Sequence, residues 1–176
     1  ILLGKALPLA NRILEAMRSV TGVDRISYAG SLRRMCETIG DLDILIASKK
    51  AGPVMDAFAE MKGVTRVLAH GETKSSVVLK EGLQVDLRVV KPDSYGAALL
   101  YFTGSKAHNI KLRGGAKKRG YKINEYGLFE EKSGRKLAGR TEEDLYQALG
   151  LDFIPPEMRE DRGELEQSAA HHLPRL

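Results

Sequence analysis

The chain has 176 residues, 43% apolar and 29% charged, which suits one ordinary domain or two small ones with a real core and excludes a disordered chain. A single cysteine, Cys36, rules out a disulfide framework and any multi-cysteine zinc site, and no apolar run approaches the roughly 18–20 residues needed to span a membrane. The formal net charge is +5, but residues 101–122 hold Lys106, Lys111, Arg113, Lys117, Lys118, Arg119 and Lys122 without one carboxylate, while the last 26 residues are net acidic. A surface that meets phosphates accounts for such a stretch better than an ordinary mixed-sign face, because each acid would repel the ligand. The opening ILLGKALPLA lacks the basic, apolar, small-residue layout of a secretory signal, and Ile1 is not an initiator methionine. A soluble intracellular piece of a longer protein is expected.

In chain order, Leu9, Ile13, Leu14 and Met17 recur at helical spacing after Pro8 and predict a helix over 8–18. Ile26–Ala29 reads as a short strand ending at a glycine, 41–47 (DLDILIA) as a second strand and 54–61 as a helix. Residues 75–79 and 83–90 read as strands joined through Lys80–Gly82, a hairpin by its turn residues. The texture changes near Lys91–Pro92. Helices are expected over 94–102 and 107–119, strand signals over 122–129, and a helix over 142–149. The acidic EMREDRGELEQ segment suggests a solvated helix or linker.

Chemistry concentrates on the two apolar-alternating strands. Asp41 and Asp43 lie two apart, so both project from one strand face and leave Leu42, Ile44 and Ile46 on the other. In LQVDLRVV, Leu83, Val85, Leu87 and Val89 make an apolar face, and Gln84, Asp86 and Arg88 a polar one. Side-by-side pairing would gather Asp41, Asp43 and Asp86, three anions that raise one another's pKa values unless a hard divalent cation sits among them. Two exposed aspartates at a strand edge are the plainer reading of the same spacing. What precedes them strengthens the case. Gly30-Ser31 lets backbone approach a phosphate closely, and Arg33 and Arg34 supply planar cationic forks, although Arg33 is equally suited to a structural ion pair.

GSLRRMCETIGDLD resembles the signature of the nucleotidyltransferase superfamily. With GETK at 71–74, VDLRVVKPDSYGAALLYFTGS at 85–105 and GYKINEYGL at 120–128, the chain resembles the catalytic region of X-family DNA polymerases, nearest in flavour to the bacterial members. The resemblance implies an α+β fold. A palm with a mixed β-sheet and helices on one side would occupy 1–91, a small, mostly helical thumb/fingers subdomain with a short sheet 92–156, and a tail or linker to a further domain 157–176. It implies a template-directed DNA polymerase core that adds a deoxynucleotide to a primer 3′-hydroxyl with two magnesium ions (manganese as substitute), in gap-filling repair. The expected partners are primer–template or gapped DNA and a deoxynucleoside triphosphate, with no membrane; the expected setting is a monomer at the nucleoid of a bacterial cytoplasm. A template-independent nucleotidyltransferase and a non-catalytic DNA- or nucleotide-binding module are the alternatives.

Residue by residue, the resemblance makes Asp41, Asp43 and Asp86 the catalytic metal ligands, with Asp86 taking up the primer hydroxyl proton. Gly30, Ser31, Arg34 and Gly40 would hold the triphosphate, and Tyr101, Phe102, Gly104 and Asn109 would line sugar and base. Lys74, Lys111 and Arg113 would face DNA, while Arg88, Glu125 and Tyr126 would exchange contacts on closure. Three positions depart from the pattern. Gln84 stands where arginine is common and should alter how Asp86 is held; Ile39 replaces a common phosphate-contacting serine; Lys106 replaces an acidic residue and should face the incoming nucleotide together with Asn109, three positions on. The resemblance also implies a cis bond between Gly104 and Ser105.

Overall fold

The computed structural model describes residues 1–175. Backbone contacts divide the chain into two compact units, Ile1–Pro92 and Asp93–Leu176. In the first, helix α1 (Leu3–Arg18) buries Ala6, Ala10, Ile13, Leu14 and Met17, the three-and-four spacing of a single stripe. The helix begins five residues earlier than the sequence suggests. Pro8 lies inside it, just past the first turn, where its missing N–H removes only one helical bond.

Five strands follow: β1 (Arg25–Ala29), β2 (Leu42–Ala47), β3 (Val64–His70), β4 (Lys74–Leu79) and β5 (Gln84–Val90), in the order β1-β2-β5-β4-β3, with the one-turn helix α2 (Gly30–Arg33) directly after β1. Only β2 and β5 run parallel; the other pairs are antiparallel. Leu42, Ile44 and Ile46 of β2, Val77 and Leu79 of β4, and Val85, Leu87 and Val89 of β5 face α1 and α3 (Ala51–Ala59) in one core. Period-two alternation sends their polar neighbours to the opposite face. The edge strand β3 shows no apolar alternation and is nearly all exposed, so the sequence gives no sign of it; pairing with β4 alone makes it a strand.

In the second unit, α4 (Tyr95–Thr103) is buried on nearly every side. Gly96 permits this. A Cβ there would run into the Thr141 backbone, while the Gly96 and Ala97 N–H groups donate to Arg140 O and Gly139 O. α5 (Lys106–Lys118) buries only His108, Leu112 and Ala116, one residue every turn, and all seven cations of residues 101–122 are exposed. The strand expected over 122–129 is a hairpin, β6 (Tyr121–Asn124) and β7 (Gly127–Glu130), because Asn124 Oδ1 accepts from the Tyr126 and Gly127 N–H groups and turns the chain. β8 (Lys136–Ala138) completes this three-stranded sheet. α6 (Glu142–Ala148) starts where Thr141 Oγ1 accepts from Asp144 N–H, with three acids in its first turn.

The acidic stretch beyond residue 156 is not merely solvated. It forms α7 (Glu164–Ala169) and buries Arg159, Glu164, Leu165 and Ser168. Glu164 bonds to His108 and accepts from two backbone N–H groups, and Asp161 and Glu166 pair with Lys111. Among the described residues no helix is long and apolar enough to cross a membrane.

Candidate active site

The register of the central strands decides the carboxylate geometry. In the parallel β2–β5 ladder Asp43 stands opposite Asp86, and in the β4–β5 ladder Ser76 stands opposite Asp86 and Lys74 opposite Arg88. Asp43, Asp86, Ser76, Lys74 and Arg88 therefore share the polar face of one sheet. Asp41 sits one residue before β2 and is exposed. Burial pushes the Asp43 pKa up from 3.8 to about 6, and the negative charges of Asp86 and Asp41 push the same way, against the pull of Arg88 and Lys74.

Asp86 is held by one oxygen. Its Oδ1 accepts from Ser76 Oγ at 2.6 Å and from Gln84 Nε2 at 3.0 Å. Gln84 is thus one of two donors to Asp86, and Ser76, the other, has no signal in the sequence; the two adjacent serines at 75 and 76 give no hint of which faces the carboxylate without the hairpin register. Gly30, at φ +62°, packs so tightly against Asp43 that a Cβ would run into its carboxylate, so the loop after β1 can close on the aspartate only through glycine. Ser31 and Arg34 are partly buried in the same segment, and the Arg34 guanidinium reaches the Cys36 sulfur at 3.8 Å. Gly40 is exposed with open space around it. Ile39 is a core residue, bonded through its backbone to the first residue of the chain.

Among the described residues no group of three or more histidine, cysteine or acidic side chains closes into a ready-made metal cage. The donors present nonetheless fit a hard divalent cation. They are all carboxylate oxygens, two of the carboxylates are opposed across one ladder, the charges of Asp86 and Asp41 add to burial in raising the Asp43 pKa, and magnesium is ordinarily held by one or two carboxylates plus substrate phosphates.

In the second unit the Gly104–Ser105 bond is cis, as the resemblance implies. Tyr101 and Phe102 pack edge to face, ring centres 4.9 Å apart, and Asn109 Nδ2 donates to Tyr101 O at 2.8 Å. That bond fixes the amide orientation and leaves Asn109 Oδ1 buried without a partner. Tyr101, Asn109, Arg113 and Asn124 line one small cleft, an apolar-floored pocket with a waiting acceptor. Lys106 is exposed at the first turn of α5. Lys111 is held by its own chain: it pairs with Asp161 at 3.4 Å and more closely with Glu166, and these bonds raise its pKa. Glu125 and Tyr126 sit at the tip of the β6–β7 hairpin, Tyr126 61% exposed.

The site thus consists of two aspartates opposed on a mixed sheet, with a glycine-serine segment packed against one of them. Residues 98–160 match the family model of the DNA polymerase beta thumb. The chain is 40% identical over 166 residues to the DNA polymerase/3′-5′ exonuclease PolX of Bacillus subtilis (strain 168), which takes in 93% of this chain and 29% of that protein. It is 32% identical over 140 residues to the repair DNA polymerase X of African swine fever virus (isolate Pig/Kenya/KEN-50/1950), 76% of this chain and 80% of the viral protein; the Malawi isolate's protein matches equally. The chain belongs to the X family of DNA polymerases. It spans less than a third of the length of the Bacillus subtilis relative.

Proposed function

We propose that this chain is the core of a template-directed DNA polymerase that joins a deoxynucleotide to a primer 3′-hydroxyl, in gap-filling repair. The observation that carries the reading is the Asp43–Asp86 pair, opposed across the β2–β5 ladder with Asp43 driven toward protonation by burial first and by the Asp86 charge next. Two aspartates placed where they repel each other destabilise the fold, and such a cost points to a cationic ligand.

Asp41, Asp43 and Asp86 would hold two magnesium ions, or manganese in their place. Bound cations supply charge neutralisation along the triphosphate and a lowered pKa for the attacking hydroxyl. The chain's own groups do the rest. Ser76 and Gln84 hold Asp86 Oδ1 and orient the other carboxylate oxygen for the primer hydroxyl proton. The segment Gly30, Ser31, Arg34 and Gly40 receives the triphosphate, and Tyr101, Phe102, Gly104 and Asn109 receive sugar and base, the orphan Oδ1 of Asn109 supplying an acceptor. Attack of the 3′-oxygen on the α-phosphorus forms one P–O bond as the bond to pyrophosphate breaks. Lys74 and Arg113 meet DNA; Lys111 does so only by leaving Asp161 and Glu166. Lys106 adds attraction for the nucleotide, and Arg88, Glu125 and Tyr126 change contacts on closure.

Primer extension on gapped DNA, with template and magnesium each withdrawn in turn, tests the reading. Extension that needs both is expected. Extension without template supports a template-independent transferase instead, and nucleotide binding with no extension supports a binding module.

A further inference from the structure

The second unit contains a buried polar chain that the proposed chemistry does not use. His108, on α5, is fully buried. Its Nδ1 lies 2.7 Å from Glu164 Oε1 on α7, and its Nε2 lies 2.9 Å from the Tyr146 hydroxyl on α6. Glu164 also accepts from the Asp161 and Arg162 N–H groups, at 3.0 and 2.7 Å. Burial works against its charge, yet these bonds outweigh it and hold its pKa below the ordinary glutamate value. An ionised Glu164 assigns the proton to His108 Nδ1. Burial, aided by the nearby Arg159 cation and opposed by Glu164 and Asp161, lowers the His108 pKa, so Nε2 is bare at neutral pH and accepts from the Tyr146 O–H.

The neighbours of this chain grip the same turn. Arg159 is fully buried, donates to Glu142 at 2.6 Å and to Ile154 O at 2.9 Å, and lies 5.2 Å from the centre of the Tyr146 ring. Its carbonyl accepts from Ser105 N–H at 3.0 Å. Ser105 Oγ in turn accepts from His108 N–H, and Ser105 O from Asn109 N–H. The residue after the cis bond, His108 and Asn109 are therefore fixed by one network anchored on α6, α7 and the Arg159 segment. Nothing apolar at position 108 could make two directed bonds to two different helices, and a neutral ring with one donor and one acceptor is what Glu164 and Tyr146 require.

We propose that His108, held between Glu164 and Tyr146, is a positioning residue that sets the first turn of α5 and so the alignment of Asn109 with the incoming nucleotide. The inference rests on the reading of α5 as the nucleotide-binding helix. It gives the acidic segment 157–169 a role in substrate affinity through its hold on α5.

The test uses the full-length protein with His108→Leu, His108→Asn, Glu164→Gln and Tyr146→Phe, measuring nucleotide KM, kcat, primer–template Kd and thermal unfolding side by side. In His108→Leu, loss of hydrogen bonds that include a charged acceptor should raise nucleotide KM about tenfold. The kcat and DNA Kd should stay within about twofold, since Asp41, Asp43, Asp86 and Arg113 are untouched. His108→Asn, which keeps a donor toward Glu164, should recover part of the KM. Should His108→Leu not fold, Tyr146→Phe, which deletes one hydroxyl, should move KM in the same direction by a smaller factor. Lowered unfolding temperatures with nucleotide KM unchanged in every folded variant would overturn the proposal and leave a purely structural network. A wild-type protein that binds no nucleotide overturns the polymerase reading instead, before any variant is compared.

Discussion

Replacing Asp43 by asparagine separates what the aspartate does for the site from what it costs the fold. In the metal-free protein the Asp43 pKa stands near 6 against 3.8 for an ordinary aspartate, with burial first among the causes and Asp86 next. A folded-state pKa above the unfolded one means that the folded chain keeps the proton longer. No penalty exists below about pH 3.8; it grows as pH rises and is complete above about pH 6. At about 1.4 kcal/mol per pH unit the displacement corresponds to roughly 3 kcal/mol, which partial access of water trims to about 2. Asparagine keeps the shape and loses the charge. In chelator, the Asp43→Asn protein should therefore match wild type near pH 3.5 and exceed it by about 2 kcal/mol at pH 7, read by urea denaturation at both values. Extension activity should be lost. Magnesium should stabilise wild type at pH 7 more than the variant, since the cation relieves a repulsion that the variant no longer has. Equal stability of the two proteins across pH 3.5–7 would refute the argument.

Other outcomes follow from the same geometry. Gly30→Ala places a methyl group against the Asp43 carboxylate at a φ of +62°, and should cost about 1–3 kcal/mol in urea denaturation together with most of the activity. Asp86→Ala should abolish extension while leaving nucleotide binding largely intact by equilibrium titration. Ser76→Ala removes one of the two donors to Asp86 Oδ1 and should lower kcat about tenfold at unchanged nucleotide Kd, the size of one hydrogen bond to a charged group. For Lys106, nucleotide affinity with and without magnesium should drop in the order wild type, Lys106→Ala, Lys106→Asp, the gaps widest without the metal; equal factors in all three would make Lys106 a bystander on the exposed first turn of α5.

The sequence by itself determined the two central strands, their apolar and polar faces, and the three aspartates. A two-residue period in DLDILIA and LQVDLRVV fixes which side chains share a face, and that needs no partner to be read. Its motifs also carried the family, the glycine-serine loop and the cis bond. Tertiary structure alone decided the parallel pairing that sets Asp43 opposite Asp86, because strand register is settled by packing across the sheet and not by any one strand's pattern. The same holds for Ser76, whose hydroxyl is one of two adjacent serines until β4 pairs with β5. β3 was invisible because an exposed edge strand owes its shape to a neighbour's hydrogen bonds. The acidic end looked solvated because composition counts charges without counting partners. Glu164, Arg159 and His108 lie 56 residues apart at the widest, and only the folded chain brings them together to satisfy one another out of water.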